Sequence, residues 1–432
     1  MTRPPAFPLA EFRQQSGNSA EGWLQRLGNT LQQRQDVIRC IQWVFVGAYY
    51  FLLVVPAVLP QPTGRAEVFS SLAGWAEIIF WGVWWPGVIL GTMLFGQFWC
   101  GVFCPDGALS ELVSRHGRGG KIPAWVRWGG WPLLGFSLIV TYEHLVNAYQ
   151  APRAILLSLG GASLLALLCG YFLGRGKRVW CRYLCPVSSI FSLLARCAIF
   201  HFKVDRQAWD AAPKPLPRTV DCPPLLDVRR LRSNEKCSMC GRCSGHRNAV
   251  VLSCRAPGRE VISLDPADIR LADAFAICAV LIGLCYGLAH GSDGLVAGIL
   301  QPAGWFGNGL ALLGSLLTAL LIGGTVALML WVSGGRRAIV ACHLAYSLIP
   351  LAGCGVFLGA LEHAFLLLKE ADFSIAFWAE GIRLCVVLGG AVWSWLLGKL
   401  ILQRWYSHKA SWYRVAHGSL LLFLSMLYQF TP

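Results

Sequence analysis

Nine of the chain's 17 cysteines gather in three stretches, and these are the residues whose types and spacing could do chemistry. Phe98-Trp99-Cys100-Gly-Val-Phe-Cys104-Pro105 and Val179-Trp180-Cys181-Arg-Tyr-Leu-Cys185-Pro186 are two copies of one motif, at an offset of 81 residues. The match continues downstream, pairing Leu109 with Ile190, Leu112 with Leu193, Val113 with Leu194 and Arg115 with Arg196. One copy supplies two thiolates, which is half the shell of a cubane cluster, so two copies complete a set of four. Proline after the second cysteine fixes its own φ and lacks an N–H, which turns the chain around the ligands. Cys100, Cys104, Cys181 and Cys185 are therefore expected to hold one [4Fe–4S] cluster jointly. Four thiolates also suit zinc, which stays open as an alternative.

The third stretch reads Cys237-Ser-Met-Cys240-Gly-Arg-Cys243, preceded by Asp221-Cys222-Pro223 and followed by Cys254-Arg-Ala-Pro. A Cys-x2-Cys-x2-Cys run wraps three corners of a cubane from one tight loop, as in bacterial ferredoxins. The fourth corner has two candidates, Cys222 and Cys254. The proline directly after Cys222 favours Cys222. A second [4Fe–4S] cluster is expected here, and the chain has one such run only. The remaining eight cysteines, Cys40, Cys169, Cys197, Cys278, Cys285, Cys342, Cys354 and Cys385, are scattered and read as small hydrophobes.

The elements that must position these groups are membrane helices. The chain is 55% hydrophobic and 14% charged, with a mean hydropathy of +0.53, far from the quarter charged of a soluble domain. Apolar runs of about 20 residues, the length that crosses a bilayer, predict nine spans. They lie at Val37–Leu59, Leu72–Phe98, Val126–Tyr149, Ala154–Leu173, Ile269–Ala289, Gly309–Val332, Ile339–Leu368, Ala376–Leu402 and Trp412–Phe430. The expected fold is thus all-α and integral to the membrane, with a small ferredoxin-like insert. Residues 1–36 form a polar tail without the apolar core of a cleavable signal peptide. Residues 37–201 form a four-span half, 202–268 a Pro-rich insert, and 269–432 a five-span half.

Net charge is +15, but topology rather than nucleic acid accounts for it. With the N-terminus inside, every Lys and Arg except Arg65, Arg153, Lys369 and Arg383 falls on one face, as the positive-inside rule requires. That places the cysteine stretches on the cytoplasmic face of a bacterial inner membrane, where reducing conditions favour metal ligation over disulfides.

Polar residues inside the spans are functional candidates by default. His343 and His417 share a depth in the inner leaflet, the first condition for a bis-His haem b. His363, 20 residues beyond His343, lies roughly 30 Å away near the outer face, as His144 and His290 do. Glu380 and Arg383 stand three apart and are expected to pair. With Glu362 and His363 they could instead line a quinone pocket, where a carboxylate and an imidazole would handle protons.

WCGVFCPDGAL, VWCRYLCPV and KCSMCGRC resemble the membrane polyferredoxin family that includes NapH-, NosR- and CcoG-like proteins, over residues 35 to 260. The resemblance implies [4Fe–4S] clusters that pass electrons between a quinol pool or cytoplasmic donor and a partner redox protein. It leaves the C-terminal spans without a role. No nucleophile or phosphate loop marks a stand-alone enzyme. The alternatives are a CcoG-like factor that reduces a metal ion for oxidase assembly, and a zinc-stabilised transporter or scaffold.

Overall fold

The computed structural model describes residues 18–59, 71–148, 151–212, 220–290, 305–370, 376–406 and 411–429. Arg65, Tyr149, most of the proline-rich run and Phe430 lie outside them. The chain is mostly helical. In order, α1 is Asn18–Gln33, α2 Gln35–Val58, α3 Leu72–Phe95, α4 Phe98–Val102, α5 Pro105–His116, α6 Trp131–Leu145, α7 Pro152–Phe172, α8 Val179–Tyr183 and α9 Ser188–Leu194. The inter-half segment contributes β1 Phe200–Val204, α10 Arg206–Asp210, β2 Val250–Cys254 and α11 Arg259–Ile262. The second half comprises α12 Leu271–Ala289, α13 Trp305–Ser333, α14 Ala338–Ser347, α15 Ile349–Glu370, α16 Ala376–Tyr406 and α17 Ser411–Gln429.

Among the described residues seven helices, α2, α3, α7, α12, α13, α15 and α16, are long and apolar enough by themselves to cross a membrane, against nine expected spans. Of the other two, α6 has only 15 residues, about 22 Å against a hydrocarbon core of about 30 Å. Helix α17 has 19 residues, but Arg414, His417 and Gln429 dilute its apolar content. The run expected as one span at Ile339–Leu368 is broken between α14 and α15. Pro350, the second residue of α15, cannot donate the hydrogen bond that would continue the helix through Leu348.

The polar N-terminal residues and the inter-half segment pack together. Residues 18–33 form helix α1. Leu24 of that helix is buried with Phe202, Cys237, Met239, Val250 and Leu252 in a small core. The only strands among the described residues, β1 and β2, form an antiparallel pair with Phe200 opposite Cys254 and Val204 opposite Val250. This segment is tied to both halves by ion pairs. Arg196 reaches Glu235 at 2.9 Å and Asp273 at 3.2 Å, and Arg270 reaches Glu235 at 2.6 Å.

The largest core runs from Val88 and Met93 of α3 through Phe191 and Leu194 of α9 to α12, α14 and α17. The two halves therefore share one apolar interior. Burial of this kind contributes roughly 25 cal/mol per Å² where the alternative is water; between helices in lipid, close packing takes over.

Candidate iron–sulfur site

The two motif copies adopt the same backbone. In each, the tryptophan carbonyl accepts from two successive amides: Phe103 and Cys104 on Trp99 at 2.9 and 3.0 Å, Leu184 and Cys185 on Trp180 at 2.9 and 2.9 Å. The residue before the second cysteine has nearly the same dihedrals in both, φ −118° and ψ −21° at Phe103 against φ −121° and ψ −23° at Leu184. Pro105 then opens α5, where its missing N–H costs nothing, and Pro186 precedes α9. The fold brings the copies together although α6 and α7 separate them in sequence: Cys100, Cys104, Cys181 and Cys185 line one cavity of about 790 Å³.

Burial pushes the Cys100 thiol up to about 12 and Cys181 to about 11, with Arg178 partly countering it in both. Burial and the other thiols of the set likewise raise Cys104 and Cys185. An empty tetrad is thus protonated, and loading metal must expel those protons. Among the described residues, no three His, Cys, Asp or Glu side chains are gathered as ligands of a single metal ion. Zinc needs thiolates about 2.3 Å from one point, whereas a four-iron cluster takes one thiolate per iron and spreads them apart. Four thiols lining one cavity supply the complete donor set of a four-iron cluster, a set that zinc also takes.

The Cys-x2-Cys-x2-Cys loop folds through left-handed residues, Met239 at φ 50° and Gly241 at φ 77°. A Cβ on Gly241 would also lie 2.5 Å from the Leu31 Cβ of α1, so glycine is required twice over. Cys222, Cys237, Cys240 and Cys243 line a second, narrow cavity of about 20 Å³ with Phe202, Val228 and Leu231. Burial raises Cys222 to about 11 and Cys237 to about 12. Cys254 does not line it; it is exposed at the end of β2.

The two cysteine groups are in direct contact. A Cβ on Gly101, inside the first motif, would sit 2.0 Å from the Ser238 carbonyl and 3.0 Å from the Cys240 amide. Between the groups lies Arg178, almost wholly buried. Its Nε donates to Glu111 at 2.9 Å and its Nη1 to the Cys100 carbonyl at 2.7 Å, while its own amide donates to Pro223 at 2.9 Å. Arg242, beside Cys243, donates to the same Glu111 at 2.6 Å, and Arg115 does so at 2.7 Å. Burial alone would raise the Glu111 carboxyl, but Arg178 and Arg242 outweigh it and hold the group down to about 2.

Sequence reading missed Arg178, Glu111 and Gly101. The repeat held a usable signal. At the 81-residue offset Arg178 aligns with Gln97, and both are buried polar residues just before a motif. Gln97 donates to the Glu235 carbonyl at 2.7 Å, so each copy anchors the inter-half segment from the same position.

Two expectations change. Arg383 pairs with Glu362 at 2.7 Å across α15 and α16, not with Glu380. His343 has both ring nitrogens engaged: Trp405 donates to Nδ1 at 2.9 Å, which leaves the proton on Nε2 to donate to the Val261 carbonyl at 2.9 Å. That histidine has no lone pair for a haem iron. His417 stacks on Trp395 at 6.4 Å and lies 3.4 Å from the Ser347 hydroxyl.

A family model described as "4Fe-4S binding domain" matches residues 77–123 and 158–207, one motif copy in each. YccM of Escherichia coli, named for electron transport, is 25% identical over 36% of this chain and 50% of its own length. The regulatory protein NosR of Pseudomonas aeruginosa is 28% identical over 37% of this chain and 25% of its own. An uncharacterized protein of Methanocaldococcus jannaschii is 32% identical over 27% of this chain and 48% of its own. The matches span half or less of these curated relatives, and no solved structure matches. With a match to a 4Fe–4S binding domain on both motif copies and seven apolar helices long enough to cross a membrane among the described residues, the chain is a membrane iron–sulfur protein that over part of its length is similar to YccM and NosR.

Proposed function

We propose that this protein relays electrons between a quinol pool or cytoplasmic donor and a partner redox protein, through two [4Fe–4S] clusters. Cys100, Cys104, Cys181 and Cys185 hold one; Cys237, Cys240, Cys243 and Cys222 hold the other. The positive-inside distribution of Lys and Arg, threaded with α6 and α17 crossing as well, supports a bacterial inner-membrane location with the N-terminus and both clusters on the cytoplasmic side. Residues 37–201 supply the first site, 202–268 the second, and 269–432 complete the membrane body.

One observation carries this reading: the four cysteines of a duplicated motif line a single cavity, and the three-cysteine loop packs against Gly101 of that motif. Clusters bound there supply one-electron transfer. The chain does the rest. The proline turns fix the cysteines, Arg178 places positive charge between the two groups, and the apolar walls of the second keep water out, which are the levers that set cluster potentials.

The test is anaerobic purification with iron counting and electron paramagnetic resonance. Cys104→Ser and Cys185→Ser should each remove the same signal and leave the other. If they remove different signals, the shared site fails. Colourless protein carrying zinc would overturn the iron–sulfur reading altogether.

A further inference from the structure

Four hydrogen-bond donors beside the paired cysteines are buried without an acceptor among the described residues. They are the Trp180 indole Nε1, the Arg182 Nη1 and the hydroxyls of Ser188 and Ser238, and all four side chains line the cavity that Cys100, Cys104, Cys181 and Cys185 share. Trp180 is 4% exposed and the two serines 7% each, so bulk water does not serve them. A buried donor left without a partner is costly, and native interiors rarely leave four around one space. Much of the remaining wall is aromatic or aliphatic, with Trp84 and Phe136 from the first half and Leu281 and Val356 from the second. The donors gather instead where the ligands are: Trp180 and Arg182 flank Cys181, Ser188 follows Cys185 by three residues, and Ser238 follows Cys237 directly.

The chemistry of the donors says what they face. An indole N–H and a guanidinium can only donate, so their partner must accept, and the charges of Arg182 and Arg178 favour a negative one. The two motif copies contribute unequally. At the 81-residue offset Arg182 aligns with Gly101 and Ser188 with Gly107. Those glycines make room instead: a Cβ on Gly101 would meet the Ser238 carbonyl at 2.0 Å, and one on Gly107 would lie 3.1 Å from the Arg178 Nη1. The second copy therefore brings donors of its own, while the first admits Ser238 from the three-cysteine loop and Arg178 from the flank of the other copy.

Resting on the electron-transfer reading above, we propose that Trp180, Arg182, Ser188 and Ser238 donate hydrogen bonds to the sulfur atoms of the cluster that the four cysteines hold, and thereby set its reduction potential. Sulfur in such a cluster accepts hydrogen bonds, and reduction adds negative charge to it. Each donor therefore binds the reduced form more tightly than the oxidised form and raises the potential. The asymmetry of the copies puts three of the four donors on the side of Cys181 and Cys185.

The test is a reductive titration of the full-length protein, purified anaerobically in detergent, with electron paramagnetic resonance following the signal that Cys104→Ser removes. Trp180→Phe keeps a ring and loses the N–H, and Ser188→Ala and Ser238→Ala each lose one hydroxyl. Each variant should keep the iron content of the wild type and shift electron uptake about tenfold toward the oxidised form, a fall of about 59 mV for a one-electron couple. Ser189→Ala is the control: its hydroxyl is also buried without a partner among the described residues, but Ser189 does not line the cavity, and the potential should not move. If Trp180→Phe loads no iron, the two serine variants decide. A lower potential at full iron in both supports the donor set. An unmoved potential or lost iron in either, or an equal shift in Ser189→Ala, overturns it and leaves the electron-transfer reading intact. Zinc in place of iron overturns that reading itself, and metal analysis tells the two failures apart.

Discussion

Arg178 and Glu111 meet at 2.9 Å with 2% and 5% of their side chains exposed, and this pair joins the flank of one motif copy to the helix that follows the other. Through Cys100, Pro223 and Arg242 it also touches both cysteine groups. A buried pair is costly to break, because the surviving charge is stranded, so it fixes how the copies sit against each other.

Arg178→Met should therefore destabilise the protein by about 3 kcal/mol and lower the iron content of the joint site. Glu111 would keep Arg115 and Arg242, but the Cys100 carbonyl would lose its donor. Arg178→Lys should recover only part of the loss, since one ammonium cannot reproduce the guanidinium fork. Thermal unfolding in detergent and iron analysis measure both.

Acid should loosen this junction in a defined window. The ordinary carboxyl value is 4.5 and the folded Glu111 value is about 2, so the group's contribution is complete above pH 4.5 and fades as pH falls toward 2. That difference corresponds to about 3 kcal/mol. Metal-free protein should lose stability across that range, and Glu111→Gln should be less stable at pH 7 yet converge on the wild type near pH 2. Parallel melting curves at every pH would disprove it.

Gly101→Ala should separate the two cysteine groups, because the new methyl carbon would lie 2.0 Å from the Ser238 carbonyl. Overpacking against backbone costs about 1–3 kcal/mol. The signal of the Cys237 group should weaken while the joint site persists. Gly91→Ala, where a Cβ meets nothing within 4 Å, is the matched control and should be neutral.

Cys222→Ser should remove the second cluster, and Cys254→Ser should change neither iron content nor stability by more than about 0.5 kcal/mol, as for an exposed position without special contacts. Iron per chain decides between them.

Much of the site was legible before folding because ligand chemistry is local. The Cys-x3-Cys-Pro repeat declares its pairing by its own symmetry, and a Cys-x2-Cys-x2-Cys loop can wrap a cluster without distant help. Apolar composition likewise pointed to a mostly helical membrane protein, since a helix satisfies its own backbone in lipid. Span number was less legible: α6 and α17 exceed the reach of hydropathy, one through its short length and the other through polar residues, and the break before Pro350 depends on a single missing N–H. What only the tertiary structure decided is which distant residues meet. That Cys222 rather than Cys254 lines the second cavity, that Arg178 finds Glu111, that Arg383 turns to Glu362, and that both halves enclose one cavity all follow from how helices far apart in sequence pack. Those contacts depend on shape and on charges seeking partners across space, and no spacing rule along the chain encodes them.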